Sequence, residues 1–375
     1  MANPPLRILQ ILRSPIGGLF RHVVDLSNGL IDCGHEVGIV LDGKFNNAQS
    51  DGLLNEIKPK LALGVHKLPM SRLLSISDIT TPLKIRKLAS SLNVDVLHGH
   101  GAKGAVNARF AKNKKSVALY TPHGGVLHFS KSSFGGKLYR LADRILLSRT
   151  NAVIFESKFA QEQFHAQIAV PKCLNPVIHN GLRAAEFVPV KANKNAKDFA
   201  FIGELRQLKG IMILLDALVN IRTANGKPAT LVIAGSGPIR NQIEARINEP
   251  DLKGRVEMLG VIPAREVFTL GRCLVVPSLH ESLPYVVLEG SAANRPIIAT
   301  NVGGVSEIFG PTAKNLIKAG DKEALQIAME KFLTDKDEAK NEAKMRQKHV
   351  KQTFFLDKMV KEIEATYYQA ISNLT

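Results

Sequence analysis

The feature that most limits the fold is an order of segments. The apolar run Leu6-Arg7-Ile8-Leu9-Gln10-Ile11-Leu12 passes through the turn Ser14-Pro15-Ile16-Gly17-Gly18 into a helix whose Phe20, Val23, Val24, Leu30 and Ile31 share one face. Gly34-His35-Glu36 then leads to a second run, Val37–Leu41. Strand, turn, helix, strand implies parallel neighbours, because parallel strands need a crossover between them. Strand-like segments follow at Val94–His98, Val117–Thr121 and Ala152–Glu156, separated by helical stretches at 103–113, 137–149 and 158–167. The first half therefore reads as one doubly wound α/β domain.

After Pro176-Val177-Ile178-His179-Asn180-Gly181-Leu182 and a polar stretch at 191–198, the same order begins again. Phe199–Ile202 reads as a strand, Gly203-Glu204-Leu205-Arg206-Gln207-Leu208-Lys209-Gly210 as a loop, and 211–223 as a helix. Thr230–Ala234 runs into the turn Gly235-Ser236-Gly237-Pro238, and strands are predicted near Val256–Leu259, Leu274–Pro277 and Pro296–Thr300 with helices between them. The expected division is 1–185, 186–350 and a last helix, 351–375, whose stripe of Met359, Val360, Ile363, Tyr367, Ala370 and Ile371 needs a surface to cover it.

At 375 residues, 45% hydrophobic and 22% charged, the chain is globular and long enough for two cores. Cys33, Cys173 and Cys273 show no metal or disulfide spacing, which suggests a reduced, cytoplasmic setting. There is neither a leader-like N-terminus nor an apolar run long enough to span a bilayer. Charge is uneven: residues 1–185 hold 24 Lys and Arg against 11 Asp and Glu, so the net +17 divides as +13 before residue 186 and +4 after it. Such a field draws an anionic partner. Lys131, Lys137, Arg140, Arg144 and Arg149 surround Phe134, Leu138, Leu141, Ile145 and Leu146, a basic amphipathic segment suited to resting on the inner face of a membrane. Nucleic acid is disfavoured, because the signatures of nucleic-acid readers are missing and the chain has no Trp.

Two strands of the first half end in His98-Gly99-His100 and Thr121-Pro122-His123-Gly124-Gly125, where open α/β sheets bind ligands. No cysteine or paired carboxylate stands at ligand spacing, so no metal is expected. In the second half, His280-Glu281-Ser282-Leu283-Pro284 reads as a loop entering a helix that carries Glu289. Pro284 suits a first helical turn and Ser282 a cap, so free amides would face an anion while Glu281 and Glu289 could accept from sugar hydroxyls.

Taken in order, Gly17-Gly18, His123, Asn180-Gly181, the Gly203–Gly210 loop, Gly235-Ser236-Gly237-Pro238, Glu281 with Glu289, and Asn301-Val302-Gly303-Gly304 resemble the family 4 retaining glycosyltransferases. That family has the GT-B fold, two Rossmann-like domains facing across a cleft with C-terminal helices returning to the first. The resemblance implies a nucleotide-diphosphate sugar as co-substrate and no other cofactor, with a glycan or lipid-linked acceptor, such as a lipopolysaccharide or exopolysaccharide precursor, on the first domain. It implies donor contacts from Gly17, Gly18, Asn180, Gly203, Gly235, Gly237, Ser282, Leu283 and Pro284. Glu289 matches the residue that grips the ribose, Glu281 the one that touches the transferred sugar, and Lys209 the lysine that neutralises the diphosphate. Glu204 stands where the family's arginine is usual, and Arg206 takes that role if the loop is shifted. His123 would bond the sugar or support the developing cation through its carbonyl. Metal-independent transfer with retention is the implied chemistry; the alternatives are a sugar-nucleotide epimerase on the same architecture, or a non-catalytic relative that binds a sugar nucleotide or an anionic polymer.

Overall fold

The structure, a computed structural model, describes residues 3–44, 48–71, 75–124 and 134–374. The chain forms two compact units: Met1–Gly181 with Leu356–Thr375, and Leu182–Phe355.

The first unit is built on a six-stranded parallel sheet in the order β3-β2-β1-β4-β5-β6. These strands are β1 (Arg7–Leu12), β2 (Glu36–Asp42), β3 (Val65–Leu68), β4 (Val96–His100), β5 (Val117–Thr121) and β6 (Ala152–Val153). Alternate residues of β1 face opposite layers: Ile8 and Leu12 join a core with α1 (Gly17–Asp32), while Leu9 and Ile11 pack with α3 (Ser77–Ser91) and α4 (Gly101–Ala111). Neither β3 nor α3 was legible in the sequence, because β3 is only four residues and α3 has no clear apolar stripe. The final helix, α14 (Leu356–Ser372), buries Met359, Val360, Ile363, Tyr367 and Ala370 in the α1 layer, and Val360 lies so close to Gly29 that a β-carbon there would stand 2.4 Å from it.

The second unit has a five-stranded parallel sheet, β11-β10-β7-β8-β9. Its strands are β7 (Lys197–Ile202), β8 (Leu231–Ala234), β9 (Val256–Gly260), β10 (Gly271–Val276) and β11 (Ile297–Ala299). Counted from its first strand, the order matches that of the first unit. In both sheets strand order reverses beside the first strand, between β1 and β4 and between β7 and β10, and ligands of doubly wound sheets bind there.

Candidate functional site

At the reversal of the second sheet, two loops are fastened together. The loop after β7 ends in a single 3₁₀ turn, Gln207–Lys209, and Gly210 then opens α7 (Ile211–Leu218) at φ 69°. A β-carbon at Gly210 would lie 2.0 Å from the Pro277 carbonyl oxygen, so only glycine lets this loop approach the end of β10. The Leu279 amide donates to the Leu208 carbonyl at 2.8 Å and completes the join. Lys209 and Glu281, 72 residues apart, meet as a result. Lys209 Nζ donates to Glu281 Oε1 at 2.7 Å and Oε2 at 2.9 Å, and Ser278 Oγ donates to Oε1 at 2.7 Å. The carboxylate is largely covered, but the lysine side chain keeps 23% exposure. A cation is thus held in place while open to an arriving anion.

The surrounding motifs serve this arrangement. The Gly235–Pro238 turn stacks on the β7 loop, with Leu205 N–H donating to Ser236 O at 2.8 Å. Gly303, at φ 58°, sits where a β-carbon would fall 2.4 Å from the Glu281 carbonyl oxygen, and Gly304 N–H donates to Ser282 O at 2.6 Å. The Glu281 loop is therefore supported through its backbone. The helix α10 (Tyr285–Ala292) follows, with Pro284 at its N-cap position, and the Ser282 carbonyl two residues earlier is held by Gly304. Leu283 and Pro284 are buried and Glu289 is half-buried on α10. Arg206 is exposed and lies 3.5 Å from Glu204, a weak ion pair in solvent. Ser278 is the member that sequence reasoning missed; its signal was a hydroxyl at the end of an apolar strand.

The reversal of the first sheet carries different chemistry. Gly17 and Gly18 are exposed at the start of α1. His22 lies one turn further on, His100 ends β4, and His123, at φ 49°, follows β5. His100 Nδ1 and His123 Nε2 are 3.0 Å apart, His100 Nε2 is 2.7 Å from Gln10 Oε1, and His98 bonds both Tyr367 and Thr121 at 2.8 Å. With Gln10 accepting, His100 carries its proton on Nε2 and accepts from His123 through Nδ1. Burial, aided by the neighbouring His123, pushes His22 down to about 3; burial also pushes His123 down to about 3 and holds His98 and His100 well below 6.5. All four imidazoles are therefore neutral near pH 7. Asn180, carried over as a donor contact, belongs to this unit, is buried, and turns its side chain toward His22. The expectation of no metal rested on chain spacing, yet the fold gathers ligand atoms of His22, His100 and His123 within 4.8 Å of one another. The polar Gln10 inside an apolar strand and His22 beside the inward Phe20 and Val23 were the available signals.

A third feature is α5 (Phe134–Leu146). Its Asp143 is buried against Arg109, whose guanidinium lies 4.7 Å from the centre of the Tyr120 ring. Burial raises the Asp143 carboxyl while Arg109 opposes that shift. With Asp143 inward, Leu138, Leu141 and Ile145 point outward at 42, 53 and 62% exposure, beside exposed Lys137 and Arg144, while Leu146 is buried. Lys131, Gly125 and the Phe134 side chain lie outside the described residues. Among the described residues no helix is long and apolar enough to cross a membrane.

Comparison with known proteins places these features in context. Residues 16–186 match the family model described as Glycosyltransferase Family 4, and residues 183–352 match Glycosyl transferases group 1. An uncharacterized glycosyltransferase of Methanocaldococcus jannaschii, MJ1178, is 30% identical over 302 residues, covering 78% of this chain and 78% of that protein. The phosphatidylinositol N-acetylglucosaminyltransferase gpi3 subunit of Schizosaccharomyces pombe is 26% identical over 364 residues, covering 94% and 77%. Among solved structures, a glycosyltransferase from Rickettsia africae has a TM-score of 0.80 at 18% identity, covering 99% of this chain and all of that one. Alr3699/HepE of Anabaena, in complex with UDP and glucose, has a TM-score of 0.77 at 18% identity, covering 97% and 100%. Both structures show the same GT-B architecture of two parallel-sheet, Rossmann-like units.

Proposed function

The chain belongs to the group 1 and family 4 glycosyltransferases, and from that membership we propose that it moves a hexose or related sugar from a nucleotide-diphosphate donor to a lipid-linked or polysaccharide acceptor with retention. The observation that carries this reading is Lys209, held by both oxygens of Glu281 at the reversal of the second sheet. An arriving diphosphate offers the lysine a stronger anion, which frees the Glu281 carboxylate to accept from hydroxyls of the sugar. Glu289 binds the ribose, and Arg206 adds charge at the rim. In the second unit the β7-loop and Gly235–Pro238 backbones line the donor, with Ser282 to Pro284 at the start of α10. In the first unit His123 would bond the sugar or support the developing cation through its backbone carbonyl, and Asn180 stands beside His22.

The bond between the anomeric carbon and the diphosphate breaks as the acceptor hydroxyl attacks from the same face. The hydroxyl proton passes to the departing diphosphate, which leaves as the nucleoside diphosphate. Fixed positive charge and amides stabilise that leaving group, so the transfer needs no divalent cation. A panel of UDP-, GDP- and ADP-sugars read by thermal shift tests donor binding, with UDP-sugars first because HepE holds UDP. The matching donor then yields transfer only when acceptor is present. Isomerised sugar without acceptor would instead establish the epimerase reading. Activity should survive a chelator of Mg²⁺ and Mn²⁺, and Glu281→Ala should lose turnover.

For the acceptor, the outward stripe of Leu138, Leu141 and Ile145 flanked by basic residues supports docking on an anionic membrane, consistent with the phosphatidylinositol in the name of the S. pombe relative. Each basic group near such a surface contributes roughly 1 kcal/mol. The triple variant Lys137→Glu, Arg140→Glu and Arg144→Glu should release the protein from anionic liposomes and keep nucleotide binding. Continued sedimentation would favour a soluble acceptor.

A further inference from the structure

Three imidazoles from three separate elements converge in the first unit. His22 comes from α1, His100 from the end of β4 and His123 from the turn after β5, with ligand atoms within 4.8 Å of one another. Their ring centres lie 4.8 to 5.5 Å apart. His22 is 2% exposed, yet neither of its ring nitrogens has a hydrogen-bond partner. The Asn180 side chain turned toward it is 3% exposed and interacts with the ring, yet its Oδ1 and both His22 nitrogens fall short of hydrogen-bond geometry. Polar atoms this poorly satisfied in one buried place are costly unless something binds them. The donor set points to what that is. Neutral imidazoles suit zinc and its transition-metal neighbours, whereas magnesium and calcium take oxygen.

We propose that the first unit binds one transition-metal cation of the Zn²⁺ class through His22, His100 and His123. Two nitrogens on a tetrahedral zinc stand about 3.4 Å apart, given bonds of about 2.0–2.1 Å. His100 Nδ1 and His123 Nε2 are already 3.0 Å apart, so opening them by a few tenths of an ångström lets the cation replace their shared proton. His123 then carries its proton on Nδ1. His100 needs no change, because its Nε2–H is held by Gln10, the outer hydrogen bond that orients metal-bound imidazoles. His22 supplies the third ligand from a nitrogen with no existing bond to lose. The fourth position is left for solvent or a substrate oxygen. This cation has no part in holding the diphosphate, which falls to Lys209, and the proposal stands whether or not the assigned transfer reaction is correct.

The test uses the whole chain, stripped with a chelator and titrated with Co²⁺, whose visible absorption is intense in four-coordinate nitrogen sites and weak in six-coordinate ones. Wild type should take up one equivalent with the intense band and release it to Zn²⁺. His22→Phe keeps the ring and its burial while removing both nitrogens, and should weaken uptake at least about tenfold without altering the metal-free thermal midpoint. His66→Gln, elsewhere in the same unit, should leave the titration unchanged. If His22→Phe fails to fold, His123→Ala at the partly exposed member supplies the same comparison. A weak six-coordinate band in wild type, or identical titrations for wild type and the cluster variants, would overturn the site.

Discussion

The two units place their polar residues at the same topological position and make opposite use of it. At the first sheet's reversal the imidazoles are neutral and mostly buried, with His98, His100 and His123 hydrogen-bonded inside the unit; at the second the groups are charged, and Lys209 remains within reach of solvent. Parallel strands that diverge beside the first strand open a crevice whatever the side chains are. Topology thus sets where a ligand sits, while burial and charge decide which ligand it is. Buried polar groups in the first unit are bound up with its stability. The half-open pair in the second is available for binding.

The largest test of that contrast is Asp143→Ala in the first unit. It strands the Arg109 guanidinium in the interior and should cost about 3–5 kcal/mol in denaturant unfolding; a cost below about 1 kcal/mol would break the comparison. Next comes Glu289→Ala, expected to weaken nucleotide binding by about 1.5–3 kcal/mol in calorimetry. Unchanged affinity would remove Glu289 from the donor site. Lys209→Ala should lower diphosphate affinity about tenfold or more while sparing the bare nucleoside. The same change should move the unfolding free energy by less than about 1 kcal/mol, since its pair is partly solvated. Equal weakening of both ligands would mean that the lysine supports the loop rather than the phosphate. Arg206→Ala should have the smallest effect, because the arginine is exposed and paired only with Glu204 in solvent. A loss as large as that of Lys209→Ala would show that the arginine swings onto the diphosphate.

Both doubly wound units could be read from the chain because their signals are local. Strand runs, glycine turns and helix stripes lie within a few residues of each other, and the ordered motifs identified the family and pointed to Lys209 and Glu281. Short or weakly patterned elements such as β3 and α3 escaped, since four residues or a diffuse stripe do not define a period. What the sequence determined by itself was therefore the kind of layers and the order of the loops. Only the tertiary structure decided that Lys209 clasps Glu281 across 72 residues, that His22 joins His100 and His123, and that Leu138, Leu141 and Ile145 of α5 face outward while Asp143 is buried. Those facts depend on strand order and on which polar group finds a buried partner. Both are properties of the closed packing and leave no periodic trace along the chain.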